Sequence, residues 1–194
     1  MTHHNFSFHF QKALQAAAYI LREVGGRMGY VDLMKLLYIA DRECLAAEGE
    51  TITGDAVSAL KKGPVLRTVL NLIKGSDSQS EQWHRFIGTR FNRGIGQYEV
   101  FIRTRPGEDE LYRYEKEVLK RVFEEHKDKD LIAYTHTFPE WQKYEKVLND
   151  PNMKDSYPIT LGDIIEGIDK PGLLDMVNAR IAEIKDHKKL FGRR

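Results

Sequence analysis

Two apolar stripes of helical period, separated by a pair of glycines, constrain this chain more than any other feature. In residues 8–24, Phe10, Ala13, Leu14, Ala17, Leu21 and Val24 recur at three- and four-residue spacing, which is one face of an amphipathic helix. Gly25-Gly26 stops it, because glycine accepts the left-handed conformation common after helix ends. A second helix is expected over 32–48, with Asp32 as N-cap. Leu33, Leu36, Leu37, Ala40 and Cys44 share its apolar face. Lys35 and Arg42 are expected to point the opposite way, Asp41 sits beside the stripe, and Gly49 ends the helix.

The next segment is more broken. Residues 51–55 read as a turn and 56–60 as a short strand. Lys61-Lys62-Gly63-Pro64 reads as a breaker, with proline suited to the first turn of a following helix. Val65, Val69, Leu72 and Ile73 would form the apolar side of that helix, and Gly75 would close it. Residues 75–82 are polar and low in complexity, so a loop is expected. A β-hairpin follows, with arms at 89–92 and 97–104 around Gly94-Ile95-Gly96. Residues 109–127 read as a helix with Leu111, Val118, Leu119, Val122 and Phe123 inward. Residues 131–148 read as two short helices about a turn, with Pro139 as first residue of the second. A last helix near 171–190 carries Leu174, Val177, Ile181 and Ile184, a spacing that suits packing on the domain or on a second chain in a homodimer. Its basic end (Lys185, His187, Lys188, Lys189, Arg193, Arg194) reads as solvated. No internal repeat or interdomain linker interrupts the 194 residues. The expectation is a single α+β domain, mostly helical, with a small antiparallel sheet.

Composition narrows the function classes. Thirty basic and 29 acidic side chains leave a net charge of +1, so no global attraction to nucleic acid or anionic membrane is expected. The single cysteine, Cys44, excludes an intrachain disulfide and a cysteine-based zinc site. The start, Met1-Thr2-His3-His4-Asn5, lacks the features of a signal peptide, and no apolar run approaches the roughly 18 residues of a membrane helix. A cytoplasmic protein without membrane contact is the expectation.

Motifs for chemistry are weak. His3, His4 and His9 cluster at a terminus, while His84, His126, His136 and His187 lie far apart, and no His-Glu-x-x-His pair is present. No metal or other cofactor is expected. Gly94-Ile95-Gly96 is too short for a nucleotide fingerprint, and Gly-Lys-Ser/Thr and Gly-x-Ser-x-Gly sequences are absent. Cys44, on an apolar face, reads as a structural thiol. Asp41, Glu43 and Asp55 flank the 51–55 turn. Asp41 reads as a helix-edge carboxylate and Asp55 as a turn carboxylate after a glycine, rather than as an acid–base pair. An enzyme using Asp41, Asp55 and His136 therefore ranks last. A winged-helix DNA-binding regulator is the stronger alternative, since two helices joined by a Gly-rich turn are followed by a hairpin. Its recognition helix would nevertheless mix Asp41 and Glu43 with Lys35 and Arg42. The basic cluster Lys61, Lys62, Arg67 and Lys74 reads as a solvated face, so nucleic acid is not the expected partner.

The residues around these helices resemble a known family. Lys35-Leu36-Leu37-Tyr38-Ile39-Ala40-Asp41 looks like the KLLYxAD helix of the Panacea (SocA-like) antitoxin domain. Gly49 and Ile52-Thr53-Gly54-Asp55 look like its G…ITGD turn, and Ala59 to Val65 is similar to its A…GPV segment. Thr135-His136, Pro139 and Trp141 resemble a later H…PW element, here with Glu140 between proline and tryptophan. The resemblance is clearest over 30–75 and extends more weakly to 148. It implies an antitoxin that neutralises a cognate toxin by direct protein contact. In one branch the antitoxin is instead a proteolytic adaptor that delivers the toxin to a protease. Some members add a DNA-binding domain, for which too few residues precede the first helix here. Leu36, Leu37 and Ala40 are expected in the core, and Gly54, Gly63 and Pro64 are expected to set backbone angles. Trp141 is expected to pack under a loop and donate its indole hydrogen to a carbonyl. The candidate partner contacts are Tyr38, Asp41, Thr53, Asp55, Lys61 and His136, with Tyr38 and Asp41 on one flank of the second helix.

Overall fold

A central helix organises the computed structural model, which describes residues 6–94 and 96–191. His3, His4, Ile95, Arg193 and Arg194 lie outside the described residues. The first stripe forms α1 (Phe10–Glu23). A strand absent from the sequence reading, β1 (Arg27–Gly29), leads directly into α2 (Tyr30–Glu48). The helix therefore starts before Asp32, with Gly29 at the cap position and no side-chain cap. Asp32 lies in the first turn instead.

Nine consecutive residues of α2, Leu33 to Asp41, are buried. Lys35, expected outward, is 0% exposed. The reason is coverage from every side: α2 meets α1, α5 (Arg113–His126), α6 (Leu131–His136) and β3 (Gly63–Leu66) at once. A helix packed on all faces buries its polar positions along with its apolar ones.

Two three-stranded antiparallel sheets flank this helix, in the orders β1-β5-β4 and β3-β2-β6. The first contains the expected hairpin, β4 (Ile87–Asn92) and β5 (Gln97–Ile102), with Arg27 of β1 opposite Phe101 of β5. The second pairs β2 (Val57–Leu60) with β3 on one side and β6 (Ser156–Ile159) on the other. Pro64 is thus a strand residue opposite Ala59, not the start of a helix. As β3 is an edge strand, the missing proline N–H breaks no ladder bond. The helix following it, α3 (Arg67–Lys74), begins three residues later.

The segment expected as a loop contains the start of α4 (Ser80–Phe86), whose Trp83 is fully buried. One apolar side chain in a polar run carries no periodicity, so pattern alone missed it. The expected pair of short helices is α6 and α7 (Pro139–Leu148), with Pro139 at the first helical turn. After β6 come α8 (Leu161–Ile168) and α9 (Leu173–Phe191). The buried stripe of α9 is Leu173, Val177 and Ile181, while Leu174 is 56% exposed. The helix packs on α2 of its own chain, helped by an Arg180–Glu50 ion pair at 2.6 Å. The described residues form a mixed, mostly helical α+β fold, and none of their helices is long and apolar enough to cross a membrane.

Candidate partner-binding site

The residues singled out by pattern are tied to one another by buried polar contacts. The 51–55 turn is pinned to α2 through Asp41. Its Oδ1 accepts from the Thr53 amide at 3.0 Å and its Oδ2 from the Thr53 hydroxyl at 2.5 Å. Burial pushes the Asp41 carboxyl up to about 7, although the Thr53 bonds oppose that shift. Asp55 faces the other way. Its carboxylate accepts from the Thr68 and Val69 amides at 3.0 and 2.9 Å, capping the N-terminus of α3. Between them Gly54 has φ +66°, and a Cβ there would lie 2.2 Å from the Ser7 carbonyl oxygen. The 6–9 segment thus crosses the turn at backbone contact, and His9 donates its amide to the Thr53 carbonyl at 2.9 Å.

The β2–β3 hairpin is pinned to α2 through Lys35. Its ammonium donates to the Pro64 carbonyl at 2.7 Å, and burial brings the amine down to about 7. Gly63 adopts φ +98°, and a Cβ would approach Lys35 Nζ to 2.7 Å and Thr135 Oγ1 to 2.8 Å. This position therefore excludes a side chain on both conformational and steric grounds. Trp141 donates its indole hydrogen to the Leu60 carbonyl of the same hairpin at 2.9 Å, the kind of bond expected of it. His136 stacks on Trp141 with centroids 3.7 Å apart and planes at 5°. Burial, aided by nearby Lys35, lowers the basicity of His136.

Two residues outside the expected set complete the frame. Glu140, with a side chain 0% exposed, accepts at Oε1 from Tyr38 Oη and from Arg42 Nε, both at 2.7 Å. Arg42 also donates to the Gly167 carbonyl at 3.0 Å and lies over the Phe138 ring. Arg42 is therefore half-buried in a network, not a solvated residue. The one signal for Glu140 in the sequence was its position between Pro139 and Trp141.

Around this frame lies a cleft of about 290 Å³ between α2, the 51–57 segment and the β6–α8 corner. Tyr38, Asp41, Gly54 and Asp55 converge on it, joined by Phe6, Arg42 and Pro158. Thr53 is fully buried beside it. The other two candidates lie elsewhere. Lys61 is exposed at the β2–β3 turn, bordering a second groove of about 210 Å³, and His136 is committed to its stack on Trp141. Among the described residues no group of three His, Cys, Asp or Glu side chains is placed to hold a metal ion. Cys44 is buried, which raises its thiol pKa and suppresses thiolate.

Comparison with curated proteins and with solved structures finds no match. The family model "Antitoxin SocA-like, Panacea domain" matches residues 33–142, more than half of the chain, from the first turn of α2 into α7. All the pinning contacts from Lys35 to Trp141 fall within that span. The chain thus belongs to the SocA-like antitoxin family that the Panacea domain defines.

Proposed function

We propose that this chain is the antitoxin of a toxin–antitoxin pair and neutralises its toxin in the cytoplasm by direct protein–protein binding rather than by catalysis. Family membership supports the antitoxin role. The observation that carries the binding reading is how the motif residues are used. Asp41, Thr53, Asp55, Lys35, Gly63 and Trp141 join α2, the 51–55 turn, the β2–β3 hairpin and α7 into one braced frame. Both oxygens of Asp41 and both of Asp55 are occupied by donors of the chain itself, which suits a rigid scaffold better than acid–base work. A pre-formed surface binds a partner without the ordering cost of a flexible one.

Co-expression with the product of the adjacent gene tests this. The neighbour alone should arrest growth, and this chain should restore it and co-purify with the neighbour at fixed stoichiometry. A harmless neighbour, or rescue without any complex, would sink the proposal. Proteolytic delivery is separated by following the neighbour's half-life: direct neutralisation leaves it unchanged, whereas an adaptor shortens it. The winged-helix alternative draws little support from the fold, because Leu33 to Asp41 of α2, the middle of the would-be recognition helix, are buried within the chain itself.

A further inference from the structure

We infer that the partner is gripped by a surface additional to the cleft: the Phe91–Tyr98 pair of the β4–β5 hairpin and the lysine-rimmed groove beside it. This surface fits an acidic segment of a partner protein that carries apolar anchors. The inference rests on the toxin-binding reading and assigns it a surface.

Phe91 and Tyr98 are direct cross-strand partners, and each is more than half exposed, at 53% and 52%. Their rings meet edge to face at 5.2 Å, and Tyr98 meets Tyr30 in the same way at 6.5 Å. Tyr30 in turn lines the groove of about 210 Å³, whose floor includes Met34, Leu60, Val65 and Leu70. An aromatic row thus runs from the hairpin tip to an aliphatic recess, an exposed apolar track of the kind that marks interaction surfaces.

The charge at the rim is one-sided. Lys61, Lys62 and Lys74 border the groove and are exposed. The only carboxylate lining it is Asp155, itself 88% exposed and paired with Lys61 at 3.6 Å. In a chain whose charges balance to +1, three lysines around one recess form a local positive field. That field favours carboxylates, while the aliphatic floor favours a buried apolar side chain over a hydrated ion. A protein segment alternating acidic and apolar residues satisfies both. Nucleic acid would use the aromatics and the lysines but leave the aliphatic floor unfilled.

The test uses the full-length chain and the adjacent gene product, titrated in solution. Two double variants are compared with wild type, Lys61→Glu/Lys62→Glu and Phe91→Ser/Tyr98→Ser. Lys61 and Lys62 are exposed, so the charge reversal should melt close to wild type; the aromatic variant gives up the ring contacts of Phe91 and Tyr98 and is titrated at a temperature where circular dichroism shows it folded. The expected result is a loss of affinity of about tenfold or more in each. Binding should also weaken with salt in wild type and lose much of that dependence in the charge reversal. Wild-type affinity in both variants would overturn this surface while leaving the antitoxin reading intact. A wild-type chain that fails to bind the neighbour would overturn the antitoxin reading and this assignment together. A poly-dT oligonucleotide bound by wild type and released by the same substitutions would overturn it in favour of nucleic acid.

Discussion

Replacing Lys35 by Met should change the pH dependence of stability more than stability itself. The amine is fully buried, and its pKa falls from 10.5 to about 7 on folding. A folded-state pKa below the unfolded one means that the unfolded chain binds the extra proton between those values. Stability from this group is complete above 10.5 and is lost as pH falls toward about 7. Across that window the slope approaches about 1.4 kcal/mol per pH unit, or roughly 3 kcal/mol between pH 8 and 10. Methionine fills a similar volume and cannot titrate, but it leaves the Pro64 carbonyl without its 2.7 Å donor, at a cost of about 1–3 kcal/mol. The variant should therefore be the less stable protein at pH 10. By pH 8 the gap should have closed or reversed. Urea unfolding of both proteins at pH 8, 9 and 10 measures this, and other titrating groups cancel in the difference. Parallel stability curves for the two proteins would refute the buried-amine account.

Three further outcomes follow from the same frame. Gly63→Ala forces a Cβ into the left-handed region and against Lys35 Nζ, so thermal or urea melts should show a loss of about 2–4 kcal/mol. Asp41→Asn turns an amide donor toward the donors of Thr53 and should cost about 1–3 kcal/mol. The Asp41 pKa is raised on folding, so wild type should lose stability as pH climbs from 3.8 to about 7, and the difference between the two proteins should shrink over that range. A gap independent of pH would contradict this. Trp141→Phe keeps most of the packing but strips the Leu60 carbonyl of its donor; a loss of about 1–2 kcal/mol in urea melts is expected, and no loss would mean the 2.9 Å bond is dispensable.

The candidate site was legible in part. Spacing and the family resemblance brought out Tyr38, Asp41, Gly54 and Asp55, which the fold gathers at one cleft. Lys61 and His136 belong to other places, because the β2–β3 hairpin carries Lys61 outward while Trp141 captures the His136 ring. The pairing of Glu140 with Arg42 was not legible. They sit 98 residues apart, and nothing local in either segment announces an ion pair that forms only once the chain has brought α7 within reach of α2.

Read alone, the sequence determined the elements whose signal is local: the amphipathic stripes of α1 and α5, the hairpin of β4 and β5, and the proline that opens α7. Periodicity and turn chemistry act over a few residues and leave their mark there. Contacts between segments distant in the chain settled the rest. They made Pro64 an edge-strand residue by pairing it with Ala59, drew Lys35 into the core, and buried Leu173 rather than Leu174. In each case local propensity allowed either outcome, and burial against an element distant in sequence selected one.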